Sequence, residues 1–251
     1  MQSKYTQYKN INMPSTVQLK LIQKDCGYGC VICGAPICYV YSQNDPFHYN
    51  KKFILLCPNH YPSENHLEKS NLFLKEKPYN IRNPQKTTDQ IKIKLSNILL
   101  NQADQEVLIP ILIDSLPVIA VTITESKPLL DILLFDEFNN ELLIIRQNLI
   151  FNQEKEIAIE FKKNTFLIKN KSKPILLKIE FTKKMITIEG TILLSGVKVK
   201  IDNTSIKINE VQIKLPEIMD TTNHTIGISI GQNNDIPAVL TLTKVNRYNN
   251  H

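Results

Sequence analysis

The sequence predicts an α+β chain: a small Cys- and His-bearing ββα module over residues 1–80, a linker over 81–90, and an all-β antiparallel sandwich or barrel-like domain over 91–251. Two observations carry this expectation. Two close pairs, Cys30 with Cys33 and Cys57 with His60, fall inside a stretch too short to stabilise itself by apolar burial alone. From about residue 91 the apolar period changes to two and no helical period returns.

The first lobe can be justified element by element. Residues 15–24 predict a short helix, with Ser15 as N-cap after Pro14. Val17 and Leu21, with Leu19 and Ile22, form the apolar stripe expected to cover the Cys/His site from one side. Residues 36–41 and 53–56 predict the two strands of a hairpin, and the run Phe53-Ile54-Leu55-Leu56 is expected to be core. Residues 63–76 predict a closing helix capped by Ser63. The run 77–90, rich in Pro, Asn and charge, reads as connecting loop.

The spacing of the four donors defines their chemistry. Two cysteines two residues apart sit on one tight turn and grip one side of a tetrahedral Zn²⁺, and a Cys-x-x-His pair closes the other side. Cys30, Cys33, Cys57 and His60 are therefore expected to form a structural Cys₃His zinc site with no position left for water. Gly34, directly after Cys33, suits the close backbone approach of such a knuckle. A disulfide framework fits less well, because the polar opening MQSKYTQYKN is no secretory signal and Cys26 and Cys38 follow no extracellular pattern. No apolar run reaches membrane-spanning length, so the expectation is a soluble, cytoplasmic protein with no membrane partner.

In the second half, twelve segments alternate or run apolar for strand length: 91–100, 106–113, 141–146, 155–161, 165–169, 174–181, 185–190, 197–201, 205–208, 211–215, 225–231 and 239–245. Turn signals separate them, among them Asn139-Asn140, Asn170-Lys171, Asp202-Asn203 and Asn233-Asn234. No catalytic constellation is visible here. The run 136–141, DEFNNE, could hold a cation but reads more simply as a solvated hairpin tip. The β domain is therefore expected to be a recognition or assembly module that docks a protein partner.

Charge is uneven. The formal net charge is +6, and residues 1–85 hold ten Lys and Arg against five Asp and Glu, whereas 86–251 hold twenty against nineteen. A basic small module fits phosphate contact through counterion release, and solvated lysines would give the same count.

The runs NMPSTVQLKLIQKDCGYGCVICGAPI, 12–37, and HYNKKFILLCPNH, 48–60, resemble the HNH endonuclease family, more narrowly bacterial HNH proteins with a zinc-bearing module ahead of a β-rich region. The resemblance covers residues 11–61 and implies a ββα-metal fold holding one catalytic divalent ion. It also implies a general-base histidine at the end of the first strand, an Asn five residues before the third zinc cysteine, and a metal-binding histidine after the last zinc ligand. Here those three positions are Ser42, Lys52 and Tyr61. Serine is no base near neutral pH, lysine brings positive charge toward a metal, and tyrosine is a poor ligand for a divalent ion. The resemblance thus implies an HNH-derived zinc module that does not cut and that binds nucleic acid or a protein partner, with Lys51 and Lys52 on phosphates. The alternative is an HNH-type DNA or RNA endonuclease whose displaced ligands His48, His66 and Asp45 hold Mg²⁺ or Mn²⁺.

Overall fold

The computed structural model describes residues 14–43, 52–61, 77–83, 91–101, 106–171, 175–215, 219–221, 224–231 and 237–247. It is mostly β, and it divides into two compact units, Met1–Lys86 and Thr87–His251.

In the first unit, helix α1 (Thr16–Asp25) begins at a full capping box: the Gln18 N–H donates to Ser15 Oγ at 3.4 Å, and the Ser15 N–H donates to Gln18 Oε1 at 2.8 Å. The expected stripe is not the buried one. Val17 is 69% exposed and Leu21 57%, while Ile22 and Gln23 are buried and Leu19 is half-buried. At 100° per residue, positions 19, 22, 23 and 26 share one side of the helix, and that side meets the following hairpin. Strands β1 (Tyr39–Gln43) and β2 (Lys52–Leu56) pair antiparallel, Tyr39 opposite Leu56 and Ser42 opposite Phe53. Ile54, Leu55 and Leu56 are buried, as their run predicts, but Phe53 at its start is only half-buried. The predicted closing helix, 63–76, lies outside the described residues, as does Asn233-Asn234. A short helix α2 (Tyr79–Arg82) stands within the run expected to be a connecting loop.

Strands of the second unit form two sheets. The smaller holds seven: β5 (Val107–Ile113), β6 (Leu116–Thr124), β7 (Lys127–Phe135), β8 (Glu141–Arg146), β9 (Leu149–Gln153), β18 (Ile226–Ile230) and β19 (Ala238–Leu242), in the order β19-β18-β5-β6-β7-β8-β9. The larger holds ten. Its main path runs β10 (Ile157–Lys162), β11 (Thr165–Asn170), β12 (Ile175–Phe181), β13 (Met185–Leu194), β14 (Val197–Ile201), β15 (Ile206–Ile208) and β16 (Val211–Ile213). A branch adds β3 (Lys92–Leu95) beside β13, then β4 (Ile98–Asn101) and β17 (Met219–Thr221).

The antiparallel expectation holds for most pairings but not for all. Strand β18 lies between β5 and β19 and is parallel to both; β3–β13 and β17–β4 are also parallel. Long returns of the chain, rather than hairpins, make three of these contacts; β18 and β19 are joined by only residues 231–237. The hairpins themselves are tight. β5–β6, β6–β7, β8–β9, β10–β11, β13–β14 and β15–β16 are each closed by two residues of positive φ: Asp114-Ser115, Glu125-Ser126, Gln147-Asn148, Lys163-Asn164, Ser195-Gly196 and Asn209-Glu210. This is the type I′ geometry whose twist matches the flanking strands.

The core is aliphatic. Ile186, Ile188, Ile192 and Leu194 of β13 and Val197, Val199 and Ile201 of β14 are buried on one face of the larger sheet. The sheets meet where β7 approaches β13 and β18 approaches β4. At Gly227 of β18 a side chain would fall 3.1 Å from Leu95 Cδ1 and 2.7 Å from the Pro110 carbonyl oxygen, so only glycine fits without a shift. Polar links tie the two sheets at their rims. The Ser195 N–H donates to Asn139 Oδ1 at 2.6 Å, and Arg247 donates to Asp114 at 2.7 Å and to the Ser195 carbonyl at 2.9 Å.

Candidate metal centre

Every ligand position is prepared by backbone bonds. β2 runs directly into Cys57, and the N–H groups of His60 and Tyr61 both donate to the Cys57 carbonyl, at 2.9 and 2.8 Å, closing the second knuckle. The first knuckle is closed by the Gly34 N–H donating to the Cys30 carbonyl at 2.8 Å, with Gly34 at φ +77°. It is pinned to the hairpin by the Val31 N–H donating to the Leu55 carbonyl at 3.0 Å. The two turns face each other because the strand between them carries both.

The Cys30, Cys33 and Cys57 Sγ atoms and a His60 ring nitrogen all lie within 4.8 Å of one another, the one such His/Cys/Asp/Glu group among the described residues. Cys33 Sγ is 3.7 Å from Cys57 Sγ; His60 Nδ1 is 3.6 Å from Cys30 Sγ and 3.3 Å from Cys57 Sγ. A tetrahedral ion at usual Zn–S and Zn–N lengths sets ligand atoms about 3.8 Å apart for S···S and about 3.6 Å for S···N. The observed edges match that size. They are far longer than the ~2.05 Å of a disulfide, and all five cysteines are free thiols. The residues therefore fit a metal ion, and their donor set is compatible with zinc. Coordination through Nδ1 requires the histidine tautomer that carries its proton on Nε2.

Electrostatics point the same way. Hydrogen bonds from the Cys33 and Cys57 thiols hold Cys30 as a thiolate, at a pKa of about 2. The same bonds to Cys30 push Cys33 up to about 11 and raise Cys57 further. Without a cation the cluster carries one negative charge readily and resists the second and third. A divalent ion supplies the compensation, and protons compete with it as pH falls. Cys38, fully buried, is raised by desolvation and donates to the Ala35 carbonyl at 3.3 Å, outside the ligand set.

One contributor escaped the sequence. The Asn80 side-chain amide, on α2, donates to the Gly27 carbonyl at 3.0 Å and the Gly34 carbonyl at 3.2 Å, while the Tyr79 N–H donates to the Val31 carbonyl at 3.0 Å. A side chain at Gly34 would stand only 2.3 Å from Asn80 Oδ1, and at Gly29 only 2.7 Å from Asn80 Nδ2. Three of the seven glycines of the chain, Gly27, Gly29 and Gly34, crowd into this one stretch. That crowding was the available signal that something approaches the knuckle closely. Asn80→Ala should cost about 1–3 kcal/mol of module stability by orphaning two carbonyls. It should also speed metal transfer to a colorimetric chelator, and an unchanged transfer rate would refute the clamp.

Ser42 lies on β1 opposite Phe53, and Lys52 opens β2 opposite Gln43. The Tyr61 ring packs 4.4 Å from that of Tyr39 and edge-on to Tyr41 at 6.1 Å. Asp45, His48, Lys51 and His66 lie outside the described residues. The 136–141 run is a hairpin tip: Asp136 accepts from the N–H groups of Phe138 and Asn140 and from the Asn140 amide, each at 2.8 Å.

The fold and site thus define a mostly β protein of two units, the first of which carries a Cys₃His group able to hold a metal ion. No family model matches the chain, and no curated protein or solved structure does either. Among the described residues no helix is long and apolar enough to cross a membrane.

Proposed function

We propose that the first unit is a zinc-stapled, non-catalytic module of HNH ancestry and that the protein works by binding, to nucleic acid or to a protein partner, rather than by cutting. The closed ligand set carries the stapled half of this reading, since three sulfurs and one imidazole nitrogen at tetrahedral spacing leave no coordination position for substrate or water. The non-cutting half rests on Ser42, Lys52 and Tyr61 standing where the resemblance implies the catalytic groups. The surroundings favour it too. Where the family places a metal-binding histidine, Tyr61 is engaged in packing against Tyr39 and Tyr41. Zinc suits the site because thiolate and imidazole donors in tetrahedral array select it over Mg²⁺ or Ca²⁺, which take oxygen ligands. Bound there, it supplies fold stability to a lobe with a small core, and the hairpin and α2 hold the surface around it.

The test joins metal analysis to a nicking assay. Purified protein should contain one zinc per chain and should leave supercoiled plasmid, single-stranded DNA and RNA intact in Mg²⁺ or Mn²⁺. Loss of the general base alone removes about 10²–10⁴ in rate. Cleavage abolished by His48→Ala or His66→Ala would overturn the reading and establish the endonuclease with displaced ligands.

A further inference from the structure

All five cysteines of the chain fall between residues 26 and 57, and they differ in how a solute can reach them. Cys26, Cys30, Cys38 and Cys57 are buried, Cys30 and Cys57 completely, whereas Cys33 is partly exposed. Cys33 is the second donor of the first knuckle, and its Sγ stands 3.7 Å from that of Cys57 on the opposite knuckle. Cys30 is held inside its own turn: its N–H donates to the Ala35 carbonyl and its carbonyl accepts from the Gly34 N–H, both at 2.8 Å. Cys57 is fixed at the end of β2, where its carbonyl accepts from the His60 and Tyr61 N–H groups. The most accessible sulfur of the site thus has a second sulfur in front of it. A disulfide at ~2.05 Å needs the two only about 1.7 Å closer. An accessible thiolate with a resolving thiol beside it is the arrangement that makes a cysteine redox-sensitive.

We propose that Cys33 and Cys57 form a reversible redox switch that releases the metal when a peroxide oxidises them. The inference rests on the stapled-module reading, because only a bound ion lets the switch act on the fold. With the metal in place the Cys33 sulfur is a thiolate. It attacks one oxygen of the peroxide: the S–O bond forms, the O–O bond breaks, and hydroxide leaves to give a sulfenic acid. The Cys57 sulfur then attacks the Cys33 sulfur: the S–S bond forms, the S–O bond breaks, and a second hydroxide leaves. The two sulfurs give up two electrons, and with two protons the peroxide ends as two waters. Cys30 and His60 remain, and two donors do not hold an ion for which the site supplied four. A dithiol reductant and zinc reverse the sequence. Cys38 takes no part, with its thiol turned to the Ala35 carbonyl at 3.3 Å.

Hydrogen peroxide added to the intact, zinc-loaded chain tests the switch, with released zinc followed by a colorimetric chelator and thiols counted after denaturation. Thiols should fall from five to three as one zinc leaves each chain, and peptide mass mapping should find Cys33 joined to Cys57. Dimedone, which traps sulfenic acids, should label Cys33 ahead of the other four. Dithiothreitol with added zinc should restore both the thiols and the metal. Cys38→Ser should release its metal in step with the wild type, its thiols falling from four to two. Zinc and all thiols surviving excess peroxide would overturn the switch and leave the structural zinc site standing. So would zinc retained while thiols are lost, or a disulfide mapped to Cys30–Cys33, Cys26 or Cys38. A chain purified without chelator that held no metal would overturn the stapled reading and the switch together.

Discussion

Stripping the metal with a strong chelator is expected to dissolve the ordered structure of residues 14–43 and 52–61 while the β unit stays folded. In so small a lobe, ion binding and folding are one equilibrium, worth about 10–16 kcal/mol for structural zinc in small zinc-finger peptides. Among the described residues the first unit offers mainly Ile22, Val31, Ile37, Val40 and Ile54–Leu56 as buried aliphatics, far fewer than the second. Limited proteolysis should therefore show new cleavage between residues 14 and 61 after chelation, with a resistant fragment beginning near residue 91. Cys57→Ser should do the same without chelator. Cys38→Ser, at a buried thiol outside the ligand set, should keep its metal. A protease pattern unchanged by chelation would remove the metal from the account of this fold.

Phe166→Ala is expected to be the most damaging single truncation in the β unit. Phe166 is fully buried on β11; its ring lies 4.5 Å from that of Phe161 on β10 and meets Phe181 of β12 edge-on at 5.9 Å. Removing it leaves a cavity and breaks both ring contacts, for a loss of about 3–5 kcal/mol. In a unit of this size the melting temperature should fall by roughly 10 °C. Phe161→Ala, at a half-exposed ring, should cost less. If the two variants melted together, the ring cluster would not be the anchor of β10–β12.

The gathering of the four donors was legible because their spacing is itself the mechanism: two turns, each carrying two donors. The β character of the second unit was legible for the same kind of reason, since alternating Ile and Leu against Lys and Glu leaves few other options. Its strand inventory was not. Segments 116–124, 127–135 and 149–153 went unassigned, and 91–100 folds as the β3–β4 hairpin rather than as one strand. The cause lies in the turns. Type I′ hairpins announce themselves through glycine, yet five of the six here use pairs such as Glu125-Ser126 and Gln147-Asn148, with every residue at positive φ. Some of that backbone cost is offset after folding. The Asn148 side chain accepts from the Leu130 N–H at 2.8 Å and donates to the Pro128 carbonyl at 2.9 Å, bonds that exist only once β7 is in place. Val17 and Leu21 misled for a different reason. Helical periodicity places residues on a face but does not say which face meets the hairpin. Asn80 was invisible because its contacts reach back across 53 and 46 residues.

The parallel placement of β18 imposes an order on synthesis. β5 emerges with residues 107–113, but its second neighbour is not translated until residues 226–230, more than a hundred residues later. Until then a strand reading VLIPILI has one open edge, and no hairpin can close it. On that edge the N–H groups of Ile109 and Asp114 wait for the Thr225 and Ile230 carbonyls, to which they donate at 2.7 and 2.8 Å once β18 is in place. The seven-stranded sheet is therefore completed last by its most distant segment, and one edge of β5 waits unpaired for the interval.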